Sequence, residues 1–261
     1  NFNLLFETKV GASSDSHNVA YLRGETAQAM FMNFRLVAET SRLQLPFGIA
    51  QIGRCFRNEI SPRDFLFRSR EFHIGEIEYF IHPTEKKCSL LTKKQLGLEI
   101  NLLDAASQDA SKKTTVKSKN TKTTIAEMLK RKLLTEWHAY FLVEQYLWLL
   151  KLGLNPAKLK VREHVKTELS HYSSATFDID YEFPFGSKEI AGNANRGQFD
   201  LKQHAEFSKT KMELFDEAHK QSILPAVIEP TFGLERGFLA LLFDAYDDDK
   251  KRGNVVLKLD K

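Results

Sequence analysis

The sequence predicts an α+β fold, a mostly antiparallel sheet flanked by helices with a helical subdomain inserted near its middle. Three observations lead there. FRNEISPRDFLFRSREF, residues 56–72, reads as a hairpin between two strands. WHAYFLVEQYLWLLKLGL, residues 137–154, carries apolar side chains at helical spacing. IEPTFGLERGFLALLFDAYDDD, residues 228–249, passes from a strand through a glycine into a second amphipathic helix.

The hairpin follows from Pro62, which has no N–H and biases the residue before it away from helix, so Asn58 to Asp64 is expected as a turn or loop. On the strand before it, FGIAQIGRCFRNE, a period of two sets Cys55, Arg57 and Glu59 on one face and Ile52, Arg54 and Phe56 on the other. On the strand after it, LFRSREFHIGEIEYF, the side chains of Arg68, Arg70, Phe72, Ile74, Glu76 and Glu78 share a face. Further on, SKKTTVKSKNTKTT, residues 111–124, has five Lys, five Thr and no acid, which suggests a loop. IAEMLKRKLL and the segment around Trp137, Tyr140, Phe141, Leu147 and Trp148 are helical, with Gly153 and Pro156 as stops. Leu234, Phe238, Leu241, Leu242 and Ala245 follow a 3.6 period, so a helix starts near Gly233. The chain thus divides into a first core part at 1–83, an inserted helical subdomain at 84–160, and a second core part at 161–261 that ends in a helix. No internal repeat is apparent.

Composition narrows the function classes. A chain of 261 residues with 42% hydrophobic and 28% charged residues can bury one sizeable core. Cys55 and Cys88 form no CxxC, which indicates neither a disulfide framework nor a cysteine-rich zinc site and fits a reducing, cytoplasmic setting. The most apolar run, residues 140–154, is broken by Glu144, Gln145 and Lys151, so no membrane span is expected. A net charge of +4 is compatible with a polyanionic partner without requiring one. The lysine run at 111–124 is either solvated or in contact with a phosphate backbone.

The hairpin face is too charged to be ordinary core. It offers cations, an aromatic plate and then carboxylates, with Arg68 and Phe72 about 13 Å apart at strand spacing, a length that suits a nucleotide triphosphate with an ammonium group beyond it. The alternative is a solvated hairpin whose arginines pair with Glu59, Asp64 and Glu71. Arg236 poses a second question: a cation in the first turn of a helix opposes the helix dipole unless an anion sits there or a neighbouring acid such as Glu229 or Glu235 compensates it.

The pattern Arg57-Asn58-Glu59, a loop, then Arg68-x-x-x-Phe72-x-x-x-Glu76 resembles motif 2 of the class II aminoacyl-tRNA synthetases, and the strand, glycine, Glu235-Arg236 and helix resemble motif 3. NLLFETKVG with YLRGETAQAMFMNF (3–34), residues 162–204 and EPTFGLER narrow the resemblance to the α2 homodimeric glycyl-tRNA synthetases. The chain departs from that pattern at Gly24, where the family usually has Pro, at Ser187 (Trp), at Asn193 (an apolar residue) and at Thr231 (Ser). The first residue is Asn, and the family's motif 1 and anticodon-binding segments are not seen, so the sequence is expected to be a catalytic-core piece of a longer protein.

The resemblance implies ATP-dependent activation of glycine and its transfer to the 3′ end of tRNA(Gly), with Mg2+, in a cytoplasmic homodimer. Catalytic roles fall to Arg57 and Arg236. Arg57, Asn58, Glu59, Phe67, Arg68, Phe72, Glu189, Ile190, Gly233, Leu234, Glu235 and Arg236 would bind ATP, with Glu189 also meeting Mg2+. Glu25, Phe72, Glu76, Arg196, Glu229, Thr231 and Gly233 would form the glycine subsite, the carboxylates facing the ammonium and Arg196 holding them. Two alternatives share these motifs: a synthetase paralogue with a non-tRNA acceptor, and a non-catalytic RNA-binding relic.

Overall fold

The computed structural model describes residues 4–11, 18–62, 64–112, 120–217 and 220–259. In chain order the elements are β1 (Phe6–Lys9), β2 (Val19–Leu22), α1 (Ala27–Thr40), β3 (Phe47–Phe56), β4 (Glu71–Ile81), α2 (Lys93–Leu96), β5 (Glu99–Leu103) and α3 (Ala105–Lys112). Then come β6 (Thr121–Thr124), α4 (Ile125–Lys130), α5 (Glu136–Lys151), β7 (Leu159–Glu163), β8 (Ala175–Phe183), β9 (Gly186–Gly197) and α6 (Phe199–Ser208). The last are β10 (Leu214–Asp216), β11 (Gln221–Ile223), β12 (Ala226–Gly233), α7 (Leu234–Ala245), β13 (Tyr246–Asp249) and β14 (Asn254–Leu257).

Eight strands form one sheet in the order β3-β4-β12-β9-β8-β7-β5-β6. All neighbours are antiparallel except β5 and β7. The two faces are covered unequally. Alternation sends Phe177, Ile179, Tyr181 and Phe183 of β8 into the larger core, with side chains of α4, α5 and α7 such as Met128, Leu142, Tyr146 and Ala240. On the other face, Phe31 and Phe34 of α1 and Leu201 of α6 pack on Phe47, Phe80 and Val227. These two helices shield only part of that second face. The remainder, across β4, β12, β9 and β8, stays polar and open as a cleft.

Local chemistry explains the helix ends. Thr124 and Thr135 cap α4 and α5, accepting bonds from Glu127 N and His138 N, with Glu127 and Glu136 in the first turns. α1 has no side-chain cap of its own; Glu76 of β4 supplies one, accepting from Thr26 N at 2.7 Å and Ala27 N at 3.1 Å.

Several expectations need correction. β3 ends at Phe56, before Arg57 and Glu59. The second hairpin strand starts at Glu71, not Leu66, because Asp64 and Phe65 take left-handed backbone angles (φ 56° and 58°) and lead into a 3-10 turn at Phe65–Phe67. Arg68 and Arg70 therefore leave the face that Phe72, Ile74, Glu76 and Glu78 share. Within the expected loop 111–124, residues 113–119 lie outside the described residues, whereas Thr121–Thr124 is a strand paired with β5. Residues 84–160 hold four helices and also β5 and β6, which extend the main sheet. The chain does not end in a helix: α7 is followed by the β13–β14 hairpin, whose turn uses Gly253 at φ 68°.

Candidate active site

Two adjoining clefts open on the uncovered sheet face. Arg57, Glu59, Phe67, Arg68, Phe72, Gly233, Glu235 and Arg236 line the first, and Glu25, Tyr172, Asp178 and Glu229 are among those lining the second, which encloses about 710 Å3. Arg57, Glu76, Glu189, Gly192 and Thr231 line both and so mark their junction.

The first cleft combines cations with aromatic surface. The Arg57 guanidinium lies over the Phe72 ring, 5.2 Å from its centroid, and Arg57 Nε donates to the Gly24 carbonyl at 3.3 Å. Arg68 pairs with Glu59 at 2.8 Å. Arg236, in the first turn of α7, donates to the Phe67 carbonyl at 2.9 Å and meets the Glu189 carboxylate at 3.3 Å. Arg68 and Arg236 are themselves partly exposed, so these pairs are worth about 0–1 kcal/mol and yield readily to a multivalent anion. Gly233 leaves room for the Arg236 side chain: a Cβ there would lie 3.1 Å from Arg236 Cδ. Of the other residues named for this side, Glu235 turns to His73, accepting from its backbone N–H at 3.0 Å and meeting Nδ1 at 2.6 Å. Burial favours the neutral acid there, but the His73 bonds prevail and hold the Glu235 carboxyl below its ordinary range. Asn58, Ile190 and Leu234 do not line the cleft; Ile190 is buried in the larger core.

The second cleft is acidic and organised by Arg196, which is 2% exposed. Its guanidinium donates to both Asp200 oxygens at 2.7 Å and to Glu229 at 2.5 Å, and reaches Glu25 at 3.8 Å. Tyr172 stacks on it at 3.9 Å to the ring centroid, with Phe31 beyond at 5.4 Å. Glu76 and Thr231 sit opposite one another on β4 and β12. Burial pushes the Glu76 carboxyl above its ordinary range, against the opposing pull of the Thr26 hydrogen bonds. Glu229 is raised too, by burial first, with Arg196 pulling the other way.

The geometry adds residues that the sequence did not single out for the site. Gln145 of α5 reaches through the sheet, donating to the carbonyls of Gly192 at 2.9 Å and Thr231 at 3.1 Å, while its own oxygen accepts from Asn193 at 2.6 Å. The amide at 193, where the resemblance expects an apolar residue, therefore has a buried partner. His164 and Asp178 meet at 2.7 Å in the second cleft. Glu78 lies buried beside Glu76 on the same strand face.

No family model matches the chain. It is 40% identical over 260 residues to the glycine–tRNA ligase of Caldanaerobacter subterraneus, which covers 99% of this chain and 46% of that protein. It is 38% identical over 266 residues to that of Mycoplasmopsis synoviae, covering 100% of this chain and 48% of the relative. The chain spans about half the length of the curated relatives it matches. Among solved structures, Giardia lamblia prolyl-tRNA synthetase in complex with prolyl-adenylate superposes with a TM-score of 0.54 at 17% identity, covering 91% of this chain and 36% of that one. Over the part of those proteins that it spans, the chain is similar in sequence to the glycine–tRNA ligases, and its fold is that of a class II aminoacyl-tRNA synthetase catalytic core.

Proposed function

We propose that the chain activates glycine with ATP and passes the glycyl group to the 3′ end of tRNA(Gly). The observation that carries this reading is the meeting, at Arg57, of a cationic and aromatic cleft with a buried acidic one. The first suits a nucleoside triphosphate. The second holds Glu25, Glu76 and Glu229 around one arginine, and buried acids in that excess favour a ligand that brings an ammonium group.

In this assignment Phe72 stacks on adenine, Glu59 meets its edge, Arg68 and Arg236 take the terminal phosphate, and Arg57 binds the α-phosphate with the amino-acid carboxylate. Phe67, Gly233 and Glu235 shape the nucleotide wall, and Asn58, Ile190 and Leu234 adjoin it only as chain neighbours of Arg57, Glu189 and Gly233. The glycine carboxylate attacks the α-phosphorus in line and pyrophosphate leaves. A terminal ribose hydroxyl of tRNA then takes the glycyl group from the adenylate. No protein nucleophile is required, so positioning and charge stabilisation do the catalysis. Among the described residues no cluster of three His, Cys, Asp or Glu stands ready for a metal. Glu189 fits as a single carboxylate contact to Mg2+ that arrives on the phosphates, which is how Mg2+ commonly binds; when bound it would neutralise phosphate charge.

Selection of glycine over alanine rests on crowding at Cα by Thr231, since added contact with one methyl changes affinity by only about 1–3 kcal/mol. Homodimerisation fits the edge position of β3 and the exposed Met32, Leu36 and Ile52 beside it. No helix among the described residues is long and apolar enough to cross a membrane, and we place the protein in the cytoplasm.

Labelled glycine, ATP and total tRNA supplied to the purified protein test the transfer step. Glycyl-tRNA is the expected product. Adenylate formation without charging would favour a paralogue with another acceptor, and RNA binding without adenylate would favour a non-catalytic relic.

A further inference from the structure

Beside the acidic cleft, buried next to Glu229, lies an acid to which the proposed reaction gives no role. The pairing of Glu76 with Thr231 and of Tyr79 with Ile228 sets the register that brings Glu78 opposite Glu229, on the same sheet face. Glu78 is fully buried and neither of its oxygens has a hydrogen-bond partner. The bonds made by the nearby donors go to other carboxylates. Arg196 spends its bonds on Asp200 and Glu229, and the amides at the start of α1 go to Glu76. Two carboxylates cannot both stay ionised side by side in such a place, because desolvation and like-charge repulsion add.

Among the described residues, Arg196 is the cation that acts on Glu78, with Arg23 and Arg57 lining the same cleft further out. Glu78 has Glu76 on its own strand, Glu229 on β12 and Arg196 on β9, with Asp200 of α6 tied to that arginine. Glu25 precedes α1, and Tyr172 stacks on Arg196. On β3 the residue paired with Glu78 is Ile49. Five carboxyls thus face one guanidinium.

We propose that Glu78 and Glu229 hold a single proton between them in the ligand-free protein, and that Glu78 acts as a positioning residue for the ammonium subsite by releasing that proton when the cation binds. Burial, and then Glu229 itself, raise Glu78 well above the ordinary carboxyl range, in keeping with this. The step is a simple ionisation. The O–H bond of the shared acid breaks, its electron pair stays on the carboxylate, and the proton passes through Glu229, which lines the cleft, to solvent. The ammonium group then supplies the positive charge that the proton had provided.

The inference rests on the proposed glycine subsite and has its own readouts. Calorimetric titration of glycine into the protein, in buffers of different ionisation enthalpy, counts protons released. Wild type should approach one, and Glu78→Gln, which keeps the shape and a permanent donor toward Glu229, should fall to near zero while still binding glycine. Wild-type affinity should rise with pH by up to about tenfold per unit as the pair loses its proton unaided, and the Gln variant should be flat over the same range. In the infrared spectrum of the ligand-free protein, a carboxylic-acid carbonyl band present in wild type should be absent from the variant. Equal proton release by both forms, or no such band in wild type, would overturn the proposal. Glycine failing to bind while the band is present would count against the glycine reading and for the shared proton.

Discussion

Replacing Arg196 with Met removes the one cation that faces Glu229 and Asp200 and leaves most of the side-chain volume. Three hydrogen bonds of 2.5–2.7 Å go with it. Breaking a buried pair by deleting one partner costs about 3–5 kcal/mol, because the carboxylates left behind have lost their compensation. For a chain of this size each kcal/mol corresponds to roughly 2–4 °C, so the melting temperature should fall by about 6–20 °C. The pH dependence has a definite sign. Without Arg196, the folded-state pKa of Glu229, already raised by burial, rises further, so the folded state binds more protons than the unfolded one. Stability then falls as pH rises from the unfolded carboxyl pKa toward the folded one. The deficit should therefore be larger at about pH 8 than at about pH 5.5 in denaturant unfolding. Adding Glu229→Gln should recover part of the loss, since the two residues are directly coupled. A deficit under about 1 kcal/mol at both pH values would refute Arg196 as the organiser of this cleft.

Arg57→Ala should reduce adenylate formation by about 10^2 or more, as it removes a charged donor aimed at the reacting phosphate; near-native activation by a folded variant would dismiss that role. Thr231→Ser should raise kcat/KM for alanine relative to glycine, because it removes the methyl that crowds Cα, and an unchanged ratio would mean the pocket wall is elsewhere. Gln145→Leu leaves the Gly192 and Thr231 carbonyls and the Asn193 amide without their partner and should cost about 1–3 kcal/mol in chemical denaturation. Adding Asn193→Val should recover part of that cost by removing the stranded amide.

Much of the site could be read from alternation along single strands. Phe72, Ile74 and Glu76 fall on one face because period 2 requires it, and α7 follows from the spacing of Leu234, Leu241 and Ala245. What alternation cannot supply is which strand lies beside which. Glu78 was on the face already identified, but its position against Glu229 depends on β4 and β12 being neighbours across about 150 residues of chain. Gln145 lay within an apolar helix pattern and gave no sign that its amide would reach two sheet carbonyls. The turn at Phe65–Phe67 was hidden by the left-handed angles of Asp64 and Phe65, which Asp adopts readily but a bulky apolar Phe does not announce. β6 is polar throughout and owes its form to backbone pairing at the sheet edge, so its composition looked like loop.

Glycine-dependent exchange of pyrophosphate into ATP tests the central claim most directly, since it requires the two clefts to work together at Arg57 and needs no RNA. With Mg2+, ATP and the purified protein, glycine should stimulate exchange well above the rate with alanine or with no amino acid, and Arg57→Ala should abolish that stimulation. Binding of ATP without exchange for any amino acid would contradict the account.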